Sequence, residues 1–128
     1  VVTRDRELLA MGHCFNGKSL DNRVSVYILM EALRLLKDQA LPYTLYAVFS
    51  AQEEVGLRGV QAATLKIQPK IALAIDTTIA FDVAGARKEE YITSLGKGAA
   101  IKLMDSSAIA HPKLVAFLKE TAQSHNIP

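Results

Sequence analysis

Two adjacent carboxylates, Glu53 and Glu54, close the strongly apolar segment Tyr46-Ala-Val-Phe-Ser-Ala-Gln-Glu-Glu-Val-Gly-Leu-Arg-Gly59. An ionised carboxylate that is taken out of water must be paired, protonated or bound to a cation, because its desolvation otherwise costs on the order of several kcal/mol. No Lys or Arg follows until Arg58. Metal ligation therefore accounts for both acids. Asp21 and Asp76 share the context, the first at the start of an apolar helical pattern and the second at the end of Ile71-Ala-Leu-Ala-Ile-Asp76. Open α/β sheets bind their ligands in the crevice at the carboxyl ends of the strands, which is where these acids fall. In a regular strand Glu53 and Glu54 would point to opposite faces, so both reach one site only if the backbone turns, and Gly56 permits that. Taken alone, Asp21 reads as an ordinary helix N-terminal acid. Taken together, the four acids are expected to surround bound cations.

The elements that must position them follow from the apolar periodicity. Leu20 to Leu36 is apolar almost throughout, with Glu31, Arg34 and Asp38 on one narrow face, which predicts a largely buried helix. Pro42 resets the chain. Tyr43 to Ala51 then reads as a central strand covered on both faces. A short helix over Gly59 to Leu65 and a second buried strand, Ile71 to Asp76, follow. Ala99 to Met104 suggests another strand. His111-Pro112 starts an amphipathic helix with Leu114, Phe117, Leu118 and Thr121 on one face. Alternating helices and strands predict an α/β layered domain, its helices packed on both sides of a partly parallel sheet.

At 128 residues and 50% hydrophobic content, the chain is sized for one domain. A net charge of +2 with scattered basic residues argues against a nucleic-acid partner. Apolar stretches are too short to span a membrane. The lone Cys14 excludes an internal disulfide, and Val-Val-Thr-Arg-Asp-Arg lacks the order of a secretory signal, which predicts a cytoplasmic setting.

Gly17-Lys-Ser-Leu-Asp-Asn-Arg23, Phe49-Ser-Ala-Gln-Glu-Glu-Val-Gly-Leu-Arg-Gly59, Ala74-Ile-Asp-Thr-Thr78 and Leu95-Gly-Lys-Gly-Ala-Ala-Ile101 resemble the M42 family of metallo-aminopeptidases over nearly the whole chain. The resemblance implies a three-layer αβα zinc-peptidase-like fold with a mixed, partly parallel sheet, incomplete here, and residues 1–128 as the central part of a catalytic domain. It implies two divalent metal ions, zinc or cobalt with manganese as an alternative, bridged by Asp21, with Glu54 ligating one and Asp76 the other. Glu53 is the implied general base, peptides the implied substrate, and a homo-oligomer the implied parent. A cis Asp21–Asn22 peptide is implied as well.

The family also uses two histidines, from an upstream His-x-Asp segment and from near the C-terminus, and no matching segment occurs here. His13, His111 and His125 are expected to be structural. So are Asp82 and Asp105, as turn or capping groups, whereas Glu89-Glu90 reads as a solvated loop. The polypeptide alone is expected to be inactive without the remaining segments. Two other readings stay open: a related M18- or M20-type peptidase or amidohydrolase, and a non-catalytic scaffold.

Overall fold

In the computed structural model, which describes residues 7–128, regular structure begins at a two-residue turn. Gly12 takes φ 62°, the positive φ that a tight hairpin turn requires and that a side chain resists. The turn joins β1 (Leu9–Met11) to β2 (Cys14–Asn16), paired antiparallel with Leu9 opposite Asn16 and Met11 opposite Cys14. The chain divides into two units, Val1–Thr77 and Thr78–Pro128.

In the first unit, α1 spans Leu20–Leu36 as the periodicity predicts. Its first turn is irregular: Asp21 (φ −84°, ψ 108°) and Asn22 (φ −122°, ψ 47°) are not helical, and the peptide between them is cis. Regular turns thus begin at Arg23, with Asn22 as the cap. Its Oδ1 accepts the Ser25 N–H at 3.1 Å, satisfying one of the amides that a helix start leaves unpaired. α2 covers Arg58–Ile67, extending the predicted segment at both ends, and stops where Gln68 turns left-handed and its N–H reaches the Thr64 carbonyl at 2.8 Å.

Three expectations are corrected here. Residues 43–51 and 71–76 form no ladder, and among the described residues the only sheet is the β1–β2 pair. The described residues thus form a small α/β set of three α-helices and one two-stranded antiparallel sheet, and the mixed, partly parallel sheet of a three-layer fold is not seen among them. The apolar runs are not covered either: Tyr46 and Phe49 are more than half exposed, as is Leu73. The same holds for α1, whose one buried residue is Ser25. The physical reason is common to all three. A strand exists only where a neighbour supplies ladder partners, and an apolar face is buried only where another layer meets it. The described residues supply neither.

In the second unit, the Phe81 N–H reaches the Thr93 carbonyl at 3.0 Å, and the Asp82 carboxylate accepts the Leu95 N–H at 3.1 Å from both oxygens. A single 3-10 turn over Lys88–Glu90 holds the Glu89-Glu90 pair on the surface, with Arg87 bonded to Glu90. The expected strand Ala99–Met104 reduces to one antiparallel bridge, Met104 to Ile109. Asp105 closes that turn by accepting the Ser107 N–H (2.7 Å), the Ala108 N–H (2.9 Å) and the Ser107 hydroxyl (2.9 Å). α3 runs Pro112–Ser124, with proline in its first turn where its missing N–H costs nothing.

Candidate active site

Asp21, Glu53, Glu54 and Asp76 all lie in the first unit, and three local devices position the backbone that carries them. Extended backbone at Asp21 takes this residue out of the helical path, so its carboxylate stands off the start of α1. Asn22 then ties that start to the end of the 71–76 segment. Its Nδ2 donates to Asp76 Oδ1 at 2.7 Å and to the Ile75 carbonyl at 3.3 Å. Asp76 Oδ1 also accepts the Thr77 N–H at 2.8 Å.

The third device holds the two glutamates. Left-handed Gln52 (φ 58°) and Leu57 (φ 56°) bracket them, with Gly56 at φ 109°. Within the loop, the Gly56 and Leu57 N–H groups return to the Glu53 carbonyl at 3.1 and 3.0 Å. The loop is closed where the Arg58 N–H meets the Gln52 carbonyl at 3.2 Å and the Gly59 N–H meets the Ala51 carbonyl at 3.0 Å. Such an approach needs glycine at 59, since a Cβ there would lie 2.6 Å from Ala51 N. The backbone thus turns on either side of the two acids.

Glu53 registers the convergence. Its carboxyl is raised above the ordinary carboxylate value, first by loss of hydration to the surrounding protein and then by the negative charges of Glu54, Asp76 and Asp21. The side chain is exposed, so water screens these charges in part. Among the described residues no Lys or Arg pairs with any of the four acids, the ion pairs there being Arg34–Glu31, Arg87–Glu90 and Lys102–Asp105. An unneutralised group of carboxylates is a donor set suited to hard divalent cations. The four nevertheless share a neighbourhood without enclosing a point: among the described residues, no three of His, Cys, Asp and Glu are close enough to hold one ion.

The histidines stand apart from this group in role. His13 sits in the β1–β2 turn, His111 precedes α3 and His125 follows it. An apolar depression lined by Leu57, Val60, Gln61, Thr64 and Leu65 on α2 contains no ionisable group and offers no chemistry of its own.

Comparison with known proteins agrees with the family resemblance read from the sequence. The family described as M42 glutamyl aminopeptidase matches residues 1–128. The chain belongs to the M42 peptidase family. It is similar to a protein of Acetivibrio thermocellus, 38% identical over 122 residues, covering 95% of this chain and 36% of that protein. It is also similar to the lysyl aminopeptidase of Pyrococcus furiosus, 36% identical over 116 residues (91% and 32%), and to the glutamyl aminopeptidase of Lactococcus lactis, 36% identical over 115 residues (90% and 31%). The chain spans about a third of the length of these relatives. Among the described residues, no helix is long and apolar enough to cross a membrane.

Two residues that shape the site were not singled out from sequence. Asn22 follows an acid at a helix start, a position where Asn is a strong cap, and Gly59 lies in a helical turn, where glycine costs about 1 kcal/mol relative to alanine and so signals a close approach.

Proposed function

We propose that the parent protein is a metal-dependent aminopeptidase that releases N-terminal residues from peptides, and that this chain contributes its acidic catalytic centre. One observation supports the reading from the structure: the Glu53 carboxyl is raised above the ordinary carboxylate value, first by loss of hydration and then by the charges of Glu54, Asp76 and Asp21, which lie far apart in sequence. The family match and the aminopeptidase names of the relatives support the reaction class.

In this reading Asp21, Glu54 and Asp76 would hold two divalent ions, zinc or cobalt, with Asp21 shared between them and Glu54 and Asp76 each serving one. Such a pair, when bound, supplies Lewis acidity at the scissile carbonyl and acidifies water. Glu53 is the base. Its carboxylate accepts a proton from the attacking water and delivers it to the departing amine nitrogen, so that the carboxylate is restored when the peptide bond has broken. The bridging duty suits Asp21, whose two oxygens can serve two cations at once. The parent is read as a cytoplasmic homo-oligomer, on the family resemblance together with the single, unpaired Cys14.

The test is Glu53→Gln in the full-length protein. The amide keeps the shape and cannot accept the proton, so kcat should fall by a factor of about 100 to 10,000 while the metal content stays at the parent level. Loss of metal in step with loss of activity would assign Glu53 to ligation instead.

A further inference from the structure

Asn22 carries three polar contacts, and their arrangement leaves one orientation of its amide. Oδ1 must be the atom that accepts the Ser25 N–H at 3.1 Å, because Nδ2 has no lone pair to offer there. Nδ2 is then the atom that faces Asp76 Oδ1 at 2.7 Å and the Ile75 carbonyl at 3.3 Å. A flipped amide would set oxygen against carboxylate oxygen at that distance, which is repulsive. One side chain thus joins two segments that are distant in sequence: the start of α1, which carries Asp21, and the end of the 71–76 segment, which carries Asp76.

The consequence for Asp76 is that one of its two carboxylate oxygens is held. Oδ1 receives two donors, Asn22 Nδ2 and the Thr77 N–H at 2.8 Å. Among the described residues Oδ2 receives none, which leaves its lone pairs free. Asn22 itself is half-buried, three residues before buried Ser25, and its cap bond anchors it to the body of α1.

We infer that Asn22 is a positioning residue for the acidic centre, holding the Asp76 carboxylate in register with Asp21 by its amide donor, in addition to capping α1. The inference rests on the functional reading above and adds a residue to which that reading gives no duty. Partners that orient a ligand in this way typically affect metal affinity by about 10- to 100-fold when removed.

The two duties of Asn22 are separable by substitution. Asn22→Ser keeps an oxygen able to accept the Ser25 N–H, since serine caps helices about as well as asparagine, but is too short to reach Asp76. Asn22→Ala loses both contacts. The experiment is calorimetric titration of the metal-stripped full-length protein with Co²⁺, alongside the melting temperature of the metal-free form. Co²⁺ affinity should drop about 10- to 100-fold in both variants, while the melting temperature drops clearly in Asn22→Ala alone. Co²⁺ affinity at the parent level in Asn22→Ser would reduce Asn22 to a helix cap and overturn the inference while leaving the centre intact. A parent protein that binds no Co²⁺ would overturn the centre and this inference with it.

Discussion

Gly59→Ala tests whether the loop bearing Glu53 and Glu54 is positioned by the close approach beneath it. The added Cβ would lie 2.6 Å from Ala51 N and 3.2 Å from Ala51 C. Carbon makes comfortable contacts at about 3.5 Å or more, so the two backbones must separate by roughly 1 Å. Gly59 does not have the positive φ of its neighbour Gly56, so the cost is steric and owes nothing to a forbidden backbone angle. Overpacking of this kind costs about 1–3 kcal/mol. Stretching the 3.0 Å bond from Gly59 to Ala51 and the 3.2 Å bond from Arg58 to Gln52 adds about 0.5–1.5 kcal/mol each. Against this, alanine favours the helix by about 1 kcal/mol. The steric and hydrogen-bond losses win. Because Ala51 is two residues from Glu53, the strain is relieved by moving the loop, and a 1 Å displacement of a reacting group lowers rate by about 100-fold. Steady-state release of the N-terminal residue from a peptide by the full-length variant should show kcat reduced by about that factor, with KM changed much less. A variant with parental kcat and parental melting temperature would refute the claim that the Ala51–Gly59 contact sets the loop.

Other outcomes follow from single contacts. Asp21→Asn should lose metal as well as activity, since an amide offers one weakly donating oxygen where a bridge needs two anionic ones; metal analysis of the purified variant checks it, and retained metal would place the bridge elsewhere. Asp105 is held well below the ordinary carboxylate value, chiefly by the Ser107 N–H and then by Lys102, the Ser107 hydroxyl and the Ala108 N–H. Its folded state therefore binds a proton less readily than the unfolded chain, so its stabilisation is present above the ordinary aspartate range and is lost as pH falls. Asp105→Asn should flatten the acid limb of a stability-against-pH curve, read by thermal melts; an unchanged limb would refute it. Asp82→Ala removes the acceptor of the Leu95 N–H and should cost about 1 kcal/mol, measurable by denaturant titration, without altering metal content.

The helices were legible from sequence because apolar spacing at three and four residues has one structural meaning. α1 and α3 start where the pattern and Pro112 place them, and α2 differs from its expected span by a residue or two. The β1–β2 hairpin was not read, its strands being only three residues each and thus too short for alternation to register. The segments 43–51 and 71–76 show the opposite failure. Their apolar runs predict covered strands correctly in composition, yet pairing is a property of neighbours, and composition within a segment says nothing about whether a neighbour is supplied. The candidate site divides along the same line. Acids at the ends of apolar runs can be picked out one segment at a time, whereas the Asn22–Asp76 bond joins positions 54 apart and has no local signature.

This division bears on why the acids gather without enclosing an ion. In a paired sheet, neighbouring strands are fixed about 4.8 Å apart along their whole length, so carboxylates at their ends are fixed as well. Here the acid-bearing segments are instead held at a few points: Asp76 through Asn22, and the glutamates through Gly59 and Arg58 on residues 51 and 52. A point attachment fixes one atom and leaves rotation about it. It brings the charges within electrostatic reach, as the raised Glu53 carboxyl records, and does not bring three oxygens to one centre. The two attachments that do exist are therefore where the geometry of the centre is most sensitive. A further contact on either segment, from a bound cation or from an adjoining strand, would convert neighbourhood into coordination, because it restricts the rotation that these attachments leave.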